Sequence, residues 1–340
     1  MGSRRLQVGV IGIEHLHLFE MIDGLLGIGA ETVCHAADDG PLTELYEAWR
    51  TESQRRSHDE VITDQTLDLI VTAAVPSERA KIALDALATG HYVLAAKPAV
   101  LDLADLAEIN DAVLLSGLSW WVFFSERLTN RAITDAVRRV HAGEIGELVA
   151  ISGLAPHTLA ADSRPEWFFD PARAGGILAD VAAHQADQLL ALAGPGLVDV
   201  RSAEVRNVNT PQHPQFQDVG RMSLHHFNSD YRTVMSDHRV DWLSPAGLGT
   251  WGDVRLMITG TTGTIEVRSN IDAAGQPGGQ HLIITDADST RRIDTSEVEL
   301  DWPLRLVTDI ATGSDDFMNH RHVFDACSIV LHAQRDADEQ

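Results

Sequence analysis

The sequence predicts an α/β protein with an N-terminal Rossmann domain built on a doubly wound parallel sheet, followed by an α+β domain with a large, mostly antiparallel open sheet. Two observations support this prediction. The chain of 340 residues is long enough for about two domains. Short apolar runs alternate with segments of helical period as far as residue 124, and beyond it strands outnumber helices. We therefore predict one domain over 1–124 and a second over 125–340.

In the first half, five apolar runs predict the strands of the parallel sheet, at 6–12, 32–38, 67–74, 91–96 and 119–124. Helical periodicity between these runs predicts helices at 15–28, 41–57, 77–90 and 102–116. Gly90 closes the third of these helices, as a C-terminal cap would. Strand and helix therefore alternate, as they do in successive βαβ units.

In the second half, a connecting helix is predicted over 126–141. Alternating patterns then predict strands at 147–154, 221–227, 232–240, 253–259 and 264–267. Two further helices are predicted over 178–193 and 315–335, and the last of them is expected to pack back on the core. Apolar residues on both alternations of 254–258 predict a sheet that is covered on both faces. We expect a homodimer or homotetramer to cover the face that the domain's own helices leave open.

The composition is that of a soluble globular protein, with 44% hydrophobic and 22% charged residues. No apolar run approaches the roughly 20 residues of a membrane span, and the apolar stretch 8–13 is too short for the core of a signal peptide. We therefore expect a cytoplasmic protein. The net charge of −24 repels phosphate backbones and anionic membranes, so neither is expected as a partner. Cys34 and Cys327 are expected to be small core residues.

Part of a dinucleotide-binding motif lies at the end of the first predicted strand. The strand ends at Gly12 just before a helix, where a Rossmann fold places the pyrophosphate. Counted from Gly12, Glu14 and His17 replace the second and third glycines of G-x-G-x-x-G, and Glu14 adds bulk and negative charge next to an anion. On its own, this pattern fits a βα turn without function equally well.

Asp38 strengthens the nucleotide hypothesis. It ends the second predicted strand, where an acidic side chain can hydrogen-bond the adenosine ribose. Asp39 follows with no Arg or Lys adjacent, so a 2′-phosphate would meet two carboxylates, and the sequence favours NAD over NADP. The alternative for Asp38 is a helix cap, because Asp38, Asp39 and Gly40 also suit a turn.

Lys97 follows the strand 92–96 and precedes Pro98, so it is predicted at the carboxyl end of a parallel strand, where ligands bind in open α/β sheets. A lysine at such a place can stabilise a developing alkoxide or donate a hydrogen bond to a substrate hydroxyl. The alternative is a solvated lysine at the end of a strand.

The stretch from Gly175 to Asp187 carries the strongest chemical signal. Asp180, His184 and Asp187 are spaced by four and three residues, so we predict them on one face of one helix. A core-facing stripe would be apolar, whereas this one sets a carboxylate beside an imidazole, whose unperturbed pKa of about 6.5 suits proton transfer. The alternative is a capping aspartate with an exposed histidine.

These motifs together resemble the Gfo/Idh/MocA family (glucose-fructose oxidoreductase, inositol dehydrogenase and MocA). Ala96-Lys97-Pro98 is similar to the family's E-K-P segment, and 175–187 to its G-G-G-x-L-x-D-x-G-x-H-x-x-D helix. The segments 73–76 and 143–146 resemble its T-P turn and its G-x-I-G segment before the second domain. The resemblance covers nearly the whole chain in order, and the helix motif is its most specific part.

The resemblance implies hydride transfer between NAD(P) and a secondary hydroxyl of a sugar, cyclitol or related polyol. It implies His184 as general base, Lys97 as the group that polarises the hydroxyl, and Asp180 as the residue that orients substrate and base. The residues expected at the cofactor are Gly12, Ile13, Glu14, His17, Asp38, Pro76 and Lys97. His157 and Trp167 are further substrate candidates, since an aromatic face can stack on a sugar ring. The loop 242–251 lines either the site or an interface.

Three departures from the family pattern leave other hypotheses open: Glu14 and His17 replace glycines, and Ala96 replaces a glutamate. A non-catalytic NAD- or sugar-sensing protein of the same fold is one alternative. Another is a metal-dependent hydrolase of the amidohydrolase type, with a metal set drawn from His15, His17, Lys97, His184 and Asp253. That fold needs an eight-fold β/α repeat, whereas the repeat here stops after about five strands. We therefore expect no metal.

Overall fold

The structure, a computed structural model, describes residues 5–228, 232–272 and 275–340 and divides into two compact units. Unit 1 contains the described residues up to Phe123 together with Asp301–Phe324. Unit 2 contains those of Phe124–Leu300 together with Asp325–Gln340. Residues 1–4 of the predicted first domain lie outside the described residues. Residues 301–324 group with unit 1, although the sequence prediction assigned them to the second domain.

Unit 1 is built on a six-stranded sheet in which every pair of neighbours is parallel. Its strands are β1 (Gln7–Ile13), β2 (Glu31–Ala36), β3 (Gln54–Arg55), β4 (Leu69–Ala73), β5 (Tyr92–Ala96) and β6 (Trp120–Phe123). Its first helices are α1 (His17–Gly27), α2 (Pro41–Trp49), α3 (His58–Ile62), α4 (Pro76–Ala88) and α5 (Leu103–Ser116). The order β3-β2-β1-β4-β5-β6 is that of the Rossmann fold, as predicted.

The predicted helix 41–57 is wrong over its second half. It ends at Trp49, and the edge strand β3 and helix α3 follow. Ser57 starts the new helix with a capping box: its hydroxyl accepts from the amide of Glu60, and the Glu60 carboxylate accepts from the amide of Ser57. Because this cap fixes a helix start at His58, a single helix cannot run through the segment.

Unit 2 is built on an eight-stranded sheet in the order β14-β13-β12-β11-β7-β10-β9-β8. Its strands are β7 (Leu148–Pro156), β8 (Leu197–Arg206), β9 (Val219–Phe227), β10 (Thr233–Asp241), β11 (Arg255–Gly260), β12 (Thr264–Arg268), β13 (His281–Thr285) and β14 (Thr290–Ile293). All neighbours are antiparallel except β7 and β10, so the predicted mostly antiparallel sheet is confirmed. The prediction missed β8, β13 and β14.

The helices of unit 2 are more broken than predicted. They are α6 (Ser125–Leu128), α7 (Arg131–His141), α8 (Pro171–Ala174), α9 (Ile177–Asp180) and α10 (Ala183–Ala193). The single connecting helix 126–141 is wrong because the side chain of Asn130 accepts from the amide of Ile133 and caps a separate α7. The single helix 178–193 is wrong as well, since α9 ends at Asp180.

Two helices close the chain, α11 (Trp302–Thr312), which the prediction missed, and α12 (His320–Asp338). The closing helix starts later than the predicted residue 315, where the Asp315 carboxylate instead accepts from the amide of His320. Among the helices of the described residues, none has both the length and the apolar character of a membrane span. Both cysteines are buried, as expected, and burial raises the pKa of the Cys327 thiol to about 12.

The two faces of the unit 2 sheet differ. Leu256 and Ile258 are buried on the face against which α10 packs. On the opposite face Met257 is 40% exposed and pairs with the exposed Ser152, and Met235 is also exposed. Helices of the same unit therefore cover one face, and the other presents methionines among polar side chains.

We predict that Gly24→Ala destabilises the protein by roughly 1–3 kcal/mol, because a Cβ at this position of α1 would overlap the ring of the buried Trp302. Gly27→Ala is the matched control, since in the same helix a Cβ there meets nothing within 4 Å. Denaturant unfolding measures both. Equal stability of the two variants would contradict the packing of residues 301–324 on α1.

Candidate active site

The end of β1 requires a glycine for a structural reason. Gly12 has φ +79°, and a Cβ there would overlap the Cβ and backbone of Ala74, the residue after β4. β1 and β4 are neighbours at the centre of the sheet, where its strand order reverses. In open α/β sheets this switch point is where ligands bind. Gly12 therefore lets the two strands approach closely at the predicted nucleotide end.

Glu14 lies in the short link between β1 and α1. Its amide donates to the carbonyl of Ala73 at 2.9 Å, and its Oε2 is buried with no hydrogen-bond partner among the described residues. Burial, then the charges of Glu78 and Asp38, raise the pKa of Glu14 to about 7, against a smaller lowering by Arg79. Near neutral pH, a substantial part of the population therefore carries a neutral carboxyl group here.

The two histidines that follow belong to the start of α1. The backbone amide of His17 donates to Nδ1 of His15 at 3.1 Å, and the two rings lie 4.3 Å apart. Within the residues that the structure describes, no group of three or more His, Cys, Asp or Glu side chains is placed to hold a metal ion. Asp253 contacts Arg255. The two sheets also differ from an eight-fold β/α repeat, so the amidohydrolase hypothesis is wrong.

Asp38 follows β2 and is exposed, as a residue that reaches a ribose must be. No arginine is adjacent to Asp38 and Asp39 in the sequence, but the fold brings one to Asp39. Arg55 of the edge strand β3 donates to Asp39 at 2.6 Å and to the carbonyl of Ala37 at 2.9 Å. Because β3 pairs with β2, residues 16 positions apart in sequence become neighbours. The carboxylate of Asp39 is therefore paired with Arg55, and that of Asp38 is the exposed one.

Lys97 follows β5 and is only 5% exposed, so the alternative of a solvated lysine is wrong. Its backbone is held by Arg79, a fully buried residue of α4 that the sequence analysis missed. The Arg79 guanidinium donates to four carbonyls, those of Ala74 (2.6 Å), Ala96 (3.1 Å), Lys97 (2.8 Å) and Pro98 (2.9 Å). The sequence signal was an arginine in the first turn of a helix at a sheet edge. Pro76 is the buried first residue of that helix.

In unit 2, Asp180, His184 and Asp187 do not share one regular helix. Asp180 ends α9, and His184 lies in the first turn of α10. Between them the regular hydrogen-bond ladder is interrupted: the amide of Ala182 donates to Ile177, five residues back, and that of His184 to Val181, three residues back. The prediction of one continuous face is wrong for this reason. His184 is 2% exposed, whereas Asp180 is partly exposed.

Asp187 is part of the scaffold. Its two carboxylate oxygens accept from Nε and Nη2 of Arg127 at 2.7 and 2.6 Å, and its side chain is fully buried. Next to this pair, the buried carboxylate of Glu126 accepts from the side-chain Nε2 groups of Gln185 and Gln188. These contacts join α10 to α6, which fixes the helix that carries His184.

Asp180 lines a pocket of about 290 Å³, counting the part that is open to solvent. The lining residues are Phe168, Pro171, Ala174, Gly176, Ile177, Asp180, Phe216, Gln217 and Trp242. Phe168 and Trp242 form the aromatic wall of this pocket, and Trp167, the predicted substrate residue next to Phe168, is not among the lining residues. Phe216 was not among the residues predicted for the site. Trp242 places one end of the loop 242–251 at the pocket, which favours the site over an interface for that end.

His157 lies outside the pocket lining but contacts its wall. Its ring is 5.3 Å from that of Trp242 and 4.6 Å from that of Trp251. Its Nδ1 lies 3.0 Å from the carbonyl of Ala155, and its Nε2 lies 3.7 Å from Oε1 of Glu126. The imidazole is therefore held on three sides and supports the aromatic wall.

We predict that Glu14→Gln raises the free energy of unfolding above pH 7, by an amount on the order of 1 kcal/mol once solvent screening is allowed for. The folded state raises the pKa of Glu14 from 4.5 to about 7. Between these values the folded chain keeps a proton that the unfolded chain has released, so stability falls as pH rises. Unfolding curves from pH 4 to 8.5 measure the difference.

Glu78→Gln is the control for this measurement, because Glu78 is an exposed neighbour of the same site. It should reproduce only a fraction of the effect. A Glu14→Gln variant that tracks the wild-type stability at every pH would contradict the burial of this carboxyl group.

Comparisons with known proteins agree with this architecture. The model of the GFO/IDH/MocA C-terminal domain matches residues 133–266. The curated scyllo-inositol 2-dehydrogenase (NAD(+)) of Bacillus subtilis (strain 168) is 28% identical over 266 residues, which are 77% of this chain and 74% of that protein. An oxidoreductase candidate from Erwinia carotovora atroseptica SCRI1043 superposes with a TM-score of 0.93 at 29% identity, covering 98% of this chain and 99% of that one.

A levoglucosan dehydrogenase solved with NADH and L-sorbose shares the fold, with a TM-score of 0.79, 17% identity, and coverage of 99% of this chain and 98% of that one. The family model, the curated relative and the solved structures therefore confirm the resemblance found in the motifs. The chain combines a parallel sheet in the Rossmann strand order with a segment, 133–266, that matches the GFO/IDH/MocA C-terminal domain, and the proteins it resembles are dehydrogenases and oxidoreductases.

Proposed function

We propose that this protein is an NAD-dependent dehydrogenase of the cytoplasm that transfers a hydride between nicotinamide and a secondary hydroxyl of a sugar, cyclitol or related polyol. One observation carries the proposal: Lys97 is almost fully buried at the carboxyl end of β5, in a parallel sheet with the Rossmann strand order. The names of the inositol dehydrogenase and of a D-xylose dehydrogenase from Paenarthrobacter nicotinovorans, 24% identical over 54% of this chain, support a sugar-like substrate.

The residues at the switch point of the sheet fit a dinucleotide. The residues proposed to contact it are Gly12, Ile13, Glu14, His17, Asp38, Pro76 and Lys97. Gly12 allows the close strand approach, and the exposed Asp38 is free to accept from the ribose hydroxyls. An ionised Glu14 would repel a diphosphate, whereas a protonated one donates a hydrogen bond to it, and its raised pKa makes the protonated form available near neutral pH. A bound nicotinamide supplies the hydride acceptor.

The side chains of this chain supply the rest of the chemistry. In our proposal the ammonium group of Lys97 donates a hydrogen bond to the substrate hydroxyl and stabilises the alkoxide that forms on its oxygen. The imidazole of His184 takes the hydroxyl proton as the hydride leaves the carbinol carbon. Asp180, at the pocket, orients the substrate. The aromatic wall formed by Phe168 and Trp242 excludes water and stacks on the sugar ring. His157 supports this wall through its contact with Trp242, and Trp167 through its contact with Phe168.

We predict that Lys97→Ala and His184→Ala each lower kcat by about 10²–10⁴ while NAD affinity stays within a few fold, because both groups act on the hydroxyl proton. Oxidation of a panel of inositols, sugar alcohols and sugar acids with NAD provides the measurement. The oxidation rate of the wild-type protein should rise from acid toward neutral pH. This rise should disappear in His184→Gln.

Lys81→Ala, at an exposed position of α4, and His58→Ala serve as matched controls and should keep full activity. Near-wild-type turnover in either site variant would refute its assigned role. A wild-type protein that binds NAD but turns over no member of the panel would instead favour the non-catalytic sensor.

We predict that the protein binds NAD more tightly than NADP and that Asp38→Ser reduces this preference by tenfold or more, since the carboxylate hydrogen-bonds the ribose and repels a 2′-phosphate. Titration calorimetry with both cofactors measures the ratio. Asp39→Asn is the comparison variant, because Asp39 is already paired with Arg55. Tighter binding of NADP by the wild type would rule out the assignment.

We further propose that the protein is a homodimer or homotetramer formed through the open face of the unit 2 sheet, where Met235 and Met257 are exposed. Introducing charge there with Met235→Asp and Met257→Asp together should shift the assembly to monomers in analytical ultracentrifugation. Leu115→Asp, at an 87% exposed position of unit 1, is the control. A monomeric wild type, or an assembly that survives the double substitution, would contradict this interface.

A further inference from the structure

Arg164 packs on the aromatic wall of the pocket in unit 2. Its Cζ lies 4.5 Å from the ring centroid of Phe168 and 5.2 Å from that of Trp242, two residues that line the pocket. The Nε of Arg164 donates to the carbonyl of Leu159 at 3.0 Å. The two rings and this hydrogen bond together hold the guanidinium against the aromatic wall.

The charge of this guanidinium is only partly compensated. Burial lowers the pKa of Arg164, and the charge of Asp180 at the pocket counteracts that lowering. Among the described residues no carboxylate lies within ion-pair distance of Arg164, and its Nη groups donate to no protein acceptor. The buried arginine Arg79, by contrast, has four carbonyl partners, and Arg127 has the bidentate carboxylate of Asp187.

The hydrogen bond from Nε leaves the edge of the guanidinium that carries the two Nη groups for a ligand. The Nη donors on that edge match the two oxygens of a carboxylate, which they can bind side by side. The largely apolar walls strengthen such a pair, because they lower the local dielectric. The net charge of −24 repels anions at long range, so an anionic ligand needs a local cation of this kind.

We propose that Arg164 binds a carboxylate of the substrate, so that the enzyme acts on a sugar acid, an aldonate or a uronate, in preference to a neutral polyol. This inference rests on the proposed function, because it assigns the pocket at Asp180 to the substrate. The second negative charge of a phosphate ester would be repelled more strongly by Asp180, which favours the monoanionic carboxylate.

Matched pairs of ligands test the inference. The pairs are D-gluconate with D-glucitol, D-galactonate with D-galactitol, D-glucuronate with D-glucose, and D-galacturonate with D-galactose. Calorimetric binding in the presence of NADH should favour at least one acid over its neutral partner by tenfold or more in the wild-type protein. Equal or weaker binding of every acid would overturn the inference without any variant.

Arg164→Gln and Arg164→Lys separate binding from packing. Arg164→Gln should weaken binding of the preferred acid by roughly tenfold to 100-fold and leave the neutral partner within threefold. Arg164→Lys should retain part of the preference for the acid, because the positive charge remains but the paired Nη donors for the two carboxylate oxygens are lost. A loss of affinity that is equal for acid and neutral partner would mean that Arg164 only packs the wall, and it would overturn the inference.

The outcomes distinguish this inference from the proposed function. Binding of an acid that depends on Arg164 but leads to no NADH would support the carboxylate site and refute the dehydrogenase. Oxidation of neutral polyols, with no acid bound more tightly than its partner, would support the dehydrogenase and refute the carboxylate site. Tighter binding of D-glucitol 6-phosphate than of every acid would assign Arg164 to phosphate and overturn the inference.

Discussion

The carboxyl edge of the parallel sheet depends on the guanidinium of Arg79. It donates to the carbonyl after β4 and to three consecutive carbonyls at and after the end of β5, where the strands have ended and sheet hydrogen bonds no longer serve them. A buried carbonyl without a donor costs about 1–3 kcal/mol, so this one side chain stabilises the ends of both β4 and β5. It fixes the backbone of Lys97, and its charge partly offsets that of Glu14. The chemistry proposed for Lys97 therefore rests on a residue that touches no substrate.

Electrostatics distinguishes the two units. The end of β1 in unit 1 is acidic, and the charges of Asp38 and Glu78 add to burial in raising the pKa of Glu14. In our proposal, a proton on Glu14 removes the charge that would repel a diphosphate, so that a motif lacking two glycines can still bind a dinucleotide. In the pocket of unit 2, the charge of the lining residue Asp180 is balanced in part by the guanidinium of Arg164, which packs on the aromatic rings of the wall. We infer that this cation selects the substrate, while the neutralised acid admits the cofactor.

The parts of the fold that the sequence predicted are those with a local cause. The central parallel strands are buried on both faces and therefore appear as continuous apolar runs, as β4 does. The two-residue strand β3 and the largely exposed edge strand β8 bury too little to leave such a pattern. Lys97 was predictable because a strand end places it. The pairs Arg55 with Asp39 and Arg127 with Asp187 were not, because they join residues 16 and 60 positions apart through tertiary packing. The spacing of Asp180 and His184 also could not show that the helix breaks between them.

The central claim is that the carbinol hydrogen of a sugar-like substrate moves to nicotinamide as a hydride. To test it directly, the protein is incubated with NAD and with polyols or sugar acids that carry deuterium on their carbinol carbons. The mass of the recovered cofactor is then measured by mass spectrometry. Our account predicts reduced cofactor that has gained one deuterium from the substrate, formed about 10²–10⁴ times more slowly by His184→Ala than by the wild-type protein. Unlabelled cofactor across the whole panel, from a folded protein that binds NAD, would contradict it.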